Sequence, residues 1–117
     1  MKMVDTKGLF RFTRKERLTH PRDFKRVMKT GRKLHSKNFI LFLKENGQQC
    51  HRLGVVVSKE VGPAAYRNRI KRVLREFFRL HKHRIKGALD IIVMAKRECL
   101  LKKYVDAKGE LGRILGV

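Results

Sequence analysis

The sequence predicts one α+β domain, a two-layer sandwich whose helices and strands follow at least the order αββαβα. Three observations support this prediction: a long amphipathic helix pattern near the middle of the chain, two strand-like stretches before it, and a short apolar run after it. The chain has 117 residues, which suits a single domain with a modest core. We expect residues 14–117 to form this domain and residues 1–13 to be a mobile basic tail.

The first predicted helix covers residues 20–30. Thr19 is a suitable cap, Pro21 suits the first turn, and Gly31 provides the stop. Apolar residues recur at i, i+3 and i+4 along it, which is the pattern of a helix packed on a core. These residues are Phe24, Val27 and Met28.

Two strands are predicted next, over residues 38–44 and 52–58. The sequence Glu45-Asn46-Gly47 between them is a strong hairpin signal, so we expect the two strands to pair antiparallel. Alternate residues of a strand point to opposite faces, and both faces of the first strand carry apolar groups. We therefore expect one face to cover a core and the other to line a cleft.

A long helix is predicted over residues 64–86. With about 100° per residue, its polar residues fall in one sector that is almost wholly cationic. The opposite sector is an apolar stripe, and Phe78 lies near the boundary, where we expect it to be half exposed. Arg69 lies apart from the cationic sector, so a straight helix could present cations to two surfaces. The cationic sector contains Arg67, Asn68, Lys71, Arg72, Arg75, Arg79 and Lys82.

This cationic sector indicates a polyanionic partner. Glu76 is the only acidic residue from position 66 to position 86, so pairing within the helix cannot neutralise the sector. A merely solvated charged face is the alternative explanation. The whole chain is also basic, with 31 Lys and Arg, 10 Asp and Glu and a formal net charge of +21. Nucleic acid is therefore the first candidate partner.

A membrane surface is the second candidate partner of so basic a chain. The apolar residues are dispersed, and no stretch approaches the roughly 18 to 20 apolar residues of a membrane-spanning helix. The apolar run near the N-terminus is too short for a secretory signal. We expect a cytoplasmic protein without a membrane partner.

The end of the chain predicts a strand over residues 89–95 and a helix over residues 100–115. The near-continuous apolar run of the strand is typical of a strand that is buried on both sides. Asp90 is interpreted as a residue at the edge of this strand. Gly109 and Gly112 weaken the helix prediction.

The sequence contains no pattern of a protein-borne nuclease site. Its ten acidic residues are scattered without a D-x-D or E-x-x-E group, and its five histidines form no H-x-x-x-H pair. We expect no catalytic residue and no metal site in the protein. Cys50 and Cys99, the only cysteines, are expected to be reduced.

A second binding surface is predicted where the first helix faces the sheet. Aromatic side chains in a basic groove are suited to single-stranded RNA, because bases stack on the rings while cations follow the backbone. The residues expected in this groove are Phe24, Met28, Phe42, Lys59, Lys96 and Arg97.

Several segments resemble the protein subunit of bacterial ribonuclease P. The run from Arg67 to Arg72, preceded by Val56-Val57-Ser58-Lys59 and a glycine-containing loop, is similar to the RNR signature of that family. Residues 22–31 resemble its first helix and residues 38–42 its first strand. The similarity covers residues 14 to 115, and it implies the element order αβββαβα with a left-handed βαβ crossover around the basic helix.

The resemblance also implies a function. The cationic helix face would contact the catalytic RNA, through Arg67, Asn68, Arg69, Lys71, Arg72 and Arg75. The groove would hold the 5′ leader of precursor tRNA, although Met28 stands where many relatives carry an aromatic residue. Magnesium ions held mainly by the RNA would perform the cleavage, and the protein would bind RNA and not DNA.

Two alternatives belong to other functional classes. A structural RNA-binding protein of the ribosome would have the same size and charge. A protein-only ribonuclease would use His81, His83 and a lysine, and it would cleave RNA without an RNA subunit.

Overall fold

The structure, a computed structural model, describes residues 12–100 and 104–117, and of these only the backbone at positions 104 and 105. Its helices and strands follow the order αβββαβα, which confirms the order implied by the resemblance. They are α1 (Pro21–Thr30), β1 (Arg32–His35), β2 (Phe39–Glu45), β3 (Arg52–Val56), α2 (Ala64–His81), β4 (Leu89–Ala95) and α3 (Tyr104–Leu115).

The four strands form one mixed sheet in the order β1-β2-β4-β3. β4 lies antiparallel to β2 and parallel to β3, so the predicted hairpin between the second and third strands is wrong. The physical reason is the composition of β4. A strand this apolar at the edge of a sheet would be open to pairing with other chains. In the central position, the backbone hydrogen-bonding groups on both of its sides are paired.

The parallel pair β3 and β4 is connected through α2, as a parallel pair requires a crossover. The predicted strand–helix–strand middle of the chain is therefore confirmed. The left hand of this crossover stays a prediction.

The sheet buries apolar residues on both faces. One face packs under α2 and α3, with Leu41, Ile70 and Ile91 at 0 to 1% exposure. The other face packs under α1, where Val27 contacts the cluster that contains Phe42 and Ile92. Because α1 covers only part of its face, this side of the sheet provides the candidate cleft.

The predicted helix ends need two corrections. The cap of α1 is His20, whose Nδ1 accepts a hydrogen bond from the Arg22 backbone at 3.1 Å, and not Thr19. The helix α2 ends at His81, before the predicted residue 86, and a 3₁₀ turn follows. Ile85 lies five full turns after Arg67, so a continued helix would point it to the cationic side. Leaving the helix early lets Ile85 be buried instead.

The segment before α1 is held against α2. The Phe12 ring lies edge-on to Phe78, with 5.5 Å between centroids, and Phe78 is only 2% exposed. The expected half exposure of Phe78 is therefore wrong.

Most of the predicted tail, residues 1–11, lies outside the described residues, as do residues 101–103 of the predicted last helix. No described helix is both long and apolar enough to cross a membrane.

Candidate nucleic-acid interface

The cationic face of α2 is held outward by the apolar stripe on the opposite side. Ile70, Leu74 and Phe77 are 0 to 2% exposed in the core. Asn68, Arg69, Arg72 and Arg75 are exposed, whereas Arg67, Lys71 and Arg79 are half-buried. The structure thus brings the predicted RNA-binding residues to one helix, most of them on one accessible side.

Two cations of the predicted sector have carboxylate partners. Arg79 forms a bidentate pair with Glu76, with Nη2–Oε2 and Nε–Oε1 distances of 2.8 and 3.1 Å. The hydrogen bonds from Arg79 lower the pKa of Glu76, which keeps the pair charged. Lys82 is 8% exposed and pairs with Glu16, so its assignment to the cationic face is wrong. Its position in the 3₁₀ turn after α2 rotates it away from that face.

Arg67 has a local role as well as a charge. Its Nη1 donates a hydrogen bond to the Gly62 carbonyl at 2.7 Å, which fixes the side chain against the loop before α2. Gly62 itself has a φ of +157°. A side chain fixed in advance loses less conformational freedom when it binds a phosphate.

The groove between α1 and the sheet has an aromatic wall. Phe24 is half-buried and packs on the cluster of Leu18, Val27, Phe42 and Ile92. Its ring lies over Gly54 of β3, where an added Cβ would come within 2.5 Å of the Phe24 Cζ. The glycine therefore allows the close approach that seats this ring.

Phe42 contributes less surface than the sequence suggested. It is 6% exposed, so it forms the base of the groove and has no free ring face for stacking. Met28 of α1 is 37% exposed. The Lys33 Nζ is 5.8 Å from the Phe42 ring centroid and adds a cation that sequence reasoning missed.

The half-buried residues Ile40, Val56 and Met94 complete the apolar floor. Ile40 lies on the strand face of Phe42, which was expected to line a cleft, whereas Val56 and Met94 were missed. Ile40 lies two residues before Phe42 on β2, and it pairs with Met94 of β4, which also pairs with Val56 of β3. Paired residues of neighbouring strands share a face of the sheet, so all three lie on the face of Phe42. Once the strand pairing is known, alternation alone would identify them.

The three predicted groove cations lie at one edge of the sheet. Lys59 follows β3, and Lys96 and Arg97 follow β4, and these neighbouring parallel strands end at the same edge. Lys59 and Arg97 are exposed, and the Arg97 Nη2 lies 2.9 Å from the Glu60 carboxylate. The Lys96 Nζ donates to the Ser36 carbonyl at 2.6 Å. The groove therefore has a basic end, in which two of the three cations have protein partners.

A buried carboxylate anchors α1 to the sheet. Asp90 is 0% exposed; it accepts two hydrogen bonds from Arg52 at 2.7 and 2.8 Å and one from Arg26 at 2.7 Å. Asn46 donates a fourth at 3.0 Å. The interpretation of Asp90 as a strand-edge residue is wrong, because two arginines from other elements make its burial possible.

These contacts change the pKa values of the network. Burial alone would raise the pKa of Asp90, but the hydrogen bonds from Arg52, Asn46 and Arg26 outweigh burial, and the pKa is lowered. The same carboxylate raises the pKa of Arg52. Asp90 is therefore ionised at neutral pH and holds Arg26, and with it α1, in place.

The two histidines of the alternative ribonuclease have different surroundings. The His81 ring is buried, stacks on Phe77 with 4.6 Å between centroids, and has its Nδ1 2.9 Å from the Phe77 carbonyl. His83 is exposed. Within residues 12–100 and 104–117, no group of three or more His, Cys, Asp or Glu side chains is placed to hold a metal ion.

The two cysteines are free thiols. Cys99 is buried, and burial, together with the negative charge of Glu110, raises its pKa to about 11. Its thiol is therefore neutral at physiological pH and is a poor nucleophile.

Comparisons with known proteins agree with this geometry. The model of the family described as Ribonuclease P matches residues 12–117. The chain is 41% identical over 100 residues to the ribonuclease P protein component of Syntrophus aciditrophicus, covering 86% of this chain and 84% of that protein. It is 44% identical over 107 residues to that of Desulfosudis oleivorans, with coverage of 91% and 84%.

Solved structures give the same result. A Staphylococcus aureus RNase P protein mutant with defective mRNA degradation activity superposes with a TM-score of 0.81 at 32% identity, covering 98% of this chain and 96% of that one. The RNase P protein from Thermotoga maritima gives a TM-score of 0.77 at 34% identity, with coverage of 86% and 94%. By sequence and by fold, this chain belongs to the ribonuclease P protein family.

Proposed function

We propose that this chain binds the catalytic RNA of ribonuclease P and the 5′ leader of precursor tRNA, and so takes part in removing that leader. The observation that carries the proposal is the accessible cationic face of α2 in a chain of this family. Arg72 and Arg75 are exposed there, and the one acid of α2, Glu76, is already paired with Arg79.

The face of α2 is suited to phosphates. Arginine guanidinium groups bind phosphate oxygens in a bidentate manner, and each contact releases condensed counterions. The affinity for the catalytic RNA should therefore fall by roughly 0.7 to 0.9 log units per log unit of salt for each phosphate bound.

The groove beside α1 is suited to a single strand. Phe24 and Met28 offer apolar surface, and Lys59 and Arg97 add positive charge at one end. A leader bound there would be aligned relative to the cleavage site, which lowers the entropic cost of reaction. Magnesium ions held mainly by the RNA would supply the chemistry, and the cytoplasm, where tRNA matures in bacteria, would be the site of action.

Reconstitution tests this proposal. The chain is added to a bacterial ribonuclease P RNA at low magnesium, where the RNA alone cleaves precursor tRNA poorly. We expect cleavage at the mature 5′ end to increase strongly, because the protein replaces part of the cation atmosphere. Absence of stimulation, with the folded protein confirmed by circular dichroism, would contradict the proposal.

A second candidate function comes from one relative. The Staphylococcus aureus RNase P protein mutant that superposes on this chain is defective in an mRNA degradation activity. The reconstitution therefore includes the protein without RNA, on precursor tRNA and on an mRNA. Cleavage in that sample, and its loss in His83→Ala, would support a protein-borne activity. The ribosomal alternative is not favoured by the family assignment.

The exposed methionine on α1 provides a test of the groove. We expect Met28→Ala to weaken binding of leader-bearing precursor tRNA to the reconstituted enzyme by roughly fivefold, the lower end of the loss for one stacked base. Met28→Phe should strengthen it, because a ring stacks better than a thioether. Mature tRNA should bind both variants like wild type.

Leu100→Ala is the matched control, because Leu100 is also a large exposed apolar residue, at 70% exposure. If Met28→Ala weakened mature and precursor tRNA equally, the leader would not lie in this groove. Phe42→Ala is a poor test, because truncating a buried Phe destabilises a fold by about 3 to 5 kcal/mol.

A further inference from the structure

We propose that Arg17, which lies over the Phe12 ring and lines the same two cavities as Arg75, forms a third RNA-binding site that accepts a single-stranded segment of the catalytic RNA. The inference rests on the proposed function and extends it. The site lies at the outer edge of β3 and connects the cationic face of α2 to the groove beside α1.

Two adjacent cavities define this site. A cavity of 390 Å³ is lined by residues of the α2 face, including Asn68, Arg72 and Arg75, and by Phe12 and Arg17. A cavity of 240 Å³ continues towards Phe24 and Gly54. Phe12, Arg17 and Arg75 line both, so the cavities meet at these three side chains. Together they form a trough, which we call the β3-edge trough.

The backbone of the β3-edge trough is firmly placed. Arg17 forms a parallel bridge with Leu53, and the Leu18 amide donates to the Leu53 carbonyl at 2.8 Å. The preceding Glu16 is buried, pairs with Lys82 and accepts a hydrogen bond from the Thr13 amide at 2.8 Å. This segment therefore presents Arg17 from a fixed position, although Arg17 itself is exposed.

The side chains have the chemistry of a base and phosphate site. The Arg17 guanidinium carbon lies 5.0 Å from the Phe12 ring centroid, and Phe12 in turn packs on Phe78. A guanidinium group that has a ring on one side can stack with an unpaired base on the side that faces solvent. Arg72 and Arg75 beside it are suited to the neighbouring phosphates.

The occupant is a single strand of the catalytic RNA for two reasons. Cavities of this size accept groups of small-molecule dimensions, whereas an A-form duplex presents a wide and shallow surface. The larger cavity is bounded by Asn68, Arg72 and Arg75, which belong to the α2 face that binds the catalytic RNA in our proposal.

The test measures the affinity of ribonuclease P RNA for four proteins over a range of salt concentrations: wild type, Arg17→Gln, Arg17→Lys and Arg14→Gln. Arg14 is the matched control, because it is an exposed arginine of the same turn that lines neither cavity. We expect Arg17→Gln to bind about tenfold more weakly. The magnitude of its salt slope should be smaller by roughly 0.7 to 0.9.

Arg17→Lys separates stacking from charge. It keeps the positive charge, so its salt slope should match wild type, but it lacks the guanidinium plane and should bind several-fold more weakly. All four proteins should unfold at the same temperature, because the bridge to Leu53 is formed by the backbone. If Arg17→Gln proved unstable, Arg17→Lys would carry the test.

Three outcomes would overturn the inference. Arg17→Gln could bind the RNA as tightly as Arg14→Gln, which would show that the β3-edge trough does not contact the catalytic RNA. Arg17→Gln could bind the catalytic RNA normally and lose only its preference for precursor over mature tRNA, which would assign the trough to the leader. A wild-type protein that neither bound the RNA nor stimulated cleavage would contradict the proposed function as well, and so the two failures are distinguishable.

Discussion

Replacing Arg67, Arg69 and Arg72 with alanine should reduce the affinity for ribonuclease P RNA by about 100-fold or more at low salt, since each lost phosphate contact costs on the order of 1 kcal/mol or more. The magnitude of the salt slope should fall by roughly two to three. The fold should survive, because the buried stripe of Ile70, Leu74 and Phe77 is unchanged. Binding is measured by filter retention over a salt series.

The matched control is a second triple variant with the same loss of charge. Lys86, Lys108 and Arg113 are exposed, and none belongs to the α2 face or to the groove. Their replacement with alanine should change the affinity only slightly, through the general field. If both triple variants lost the same affinity, binding would depend on net charge and the cationic face would have no special role.

Asp90→Asn should lower the free energy of unfolding by about 3 kcal/mol, at the lower end of the cost of breaking a buried ion pair. The lower end applies because one partner, Arg26, is 38% exposed and can be hydrated after the ion pair is lost. The other partner, Arg52, is 16% exposed and is more enclosed. Urea unfolding measures the change. Glu45→Gln, in the exposed end of β2, is the control and should change the stability little.

The pH dependence of this effect follows from the direction of the pKa shift. The pKa of Asp90 is lowered by folding, so the ionised carboxylate stabilises the fold above the ordinary Asp pKa of about 3.9. This contribution is lost as the pH falls through the lowered pKa. The difference between wild type and Asp90→Asn should therefore be full at pH 7 and shrink below about pH 4. A difference independent of pH would show that charge at Asp90 is unimportant.

The sequence was sufficient to predict features that depend on a single helix or a single strand. The 3.6-residue periodicity of α2 identified both its buried stripe and its cationic face, and the apolar run of β4 gave the bounds of that strand. In both cases, the signal lies in consecutive residues. The resemblance implied a third strand before α2, but it placed the first strand at residues 38–42, which is wrong, because that stretch belongs to β2. The first strand is β1, whose residues Arg32–His35 have no apolar alternation of their own.

Contacts between distant residues could not be predicted in the same way. Nothing local indicates that β4 lies between β2 and β3, or that Asp90 meets Arg26 and Arg52 from two other elements. The pairing of Glu16 with Lys82 joins residues 66 positions apart. Such contacts decide which cations are available for RNA, and therefore the β3-edge trough became visible only in the structure.

The central claim, that the cationic face of α2 contacts the catalytic RNA, is tested most directly by photo-crosslinking. A photoreactive amino acid replaces Asn68, which is exposed on that face, or Lys108 of α3 as a control, and the protein is irradiated with ribonuclease P RNA. We predict that position 68 crosslinks to the RNA at a defined site and that position 108 does not. Equal crosslinking from both positions, or none from position 68 while the complex remains assembled, would contradict the account.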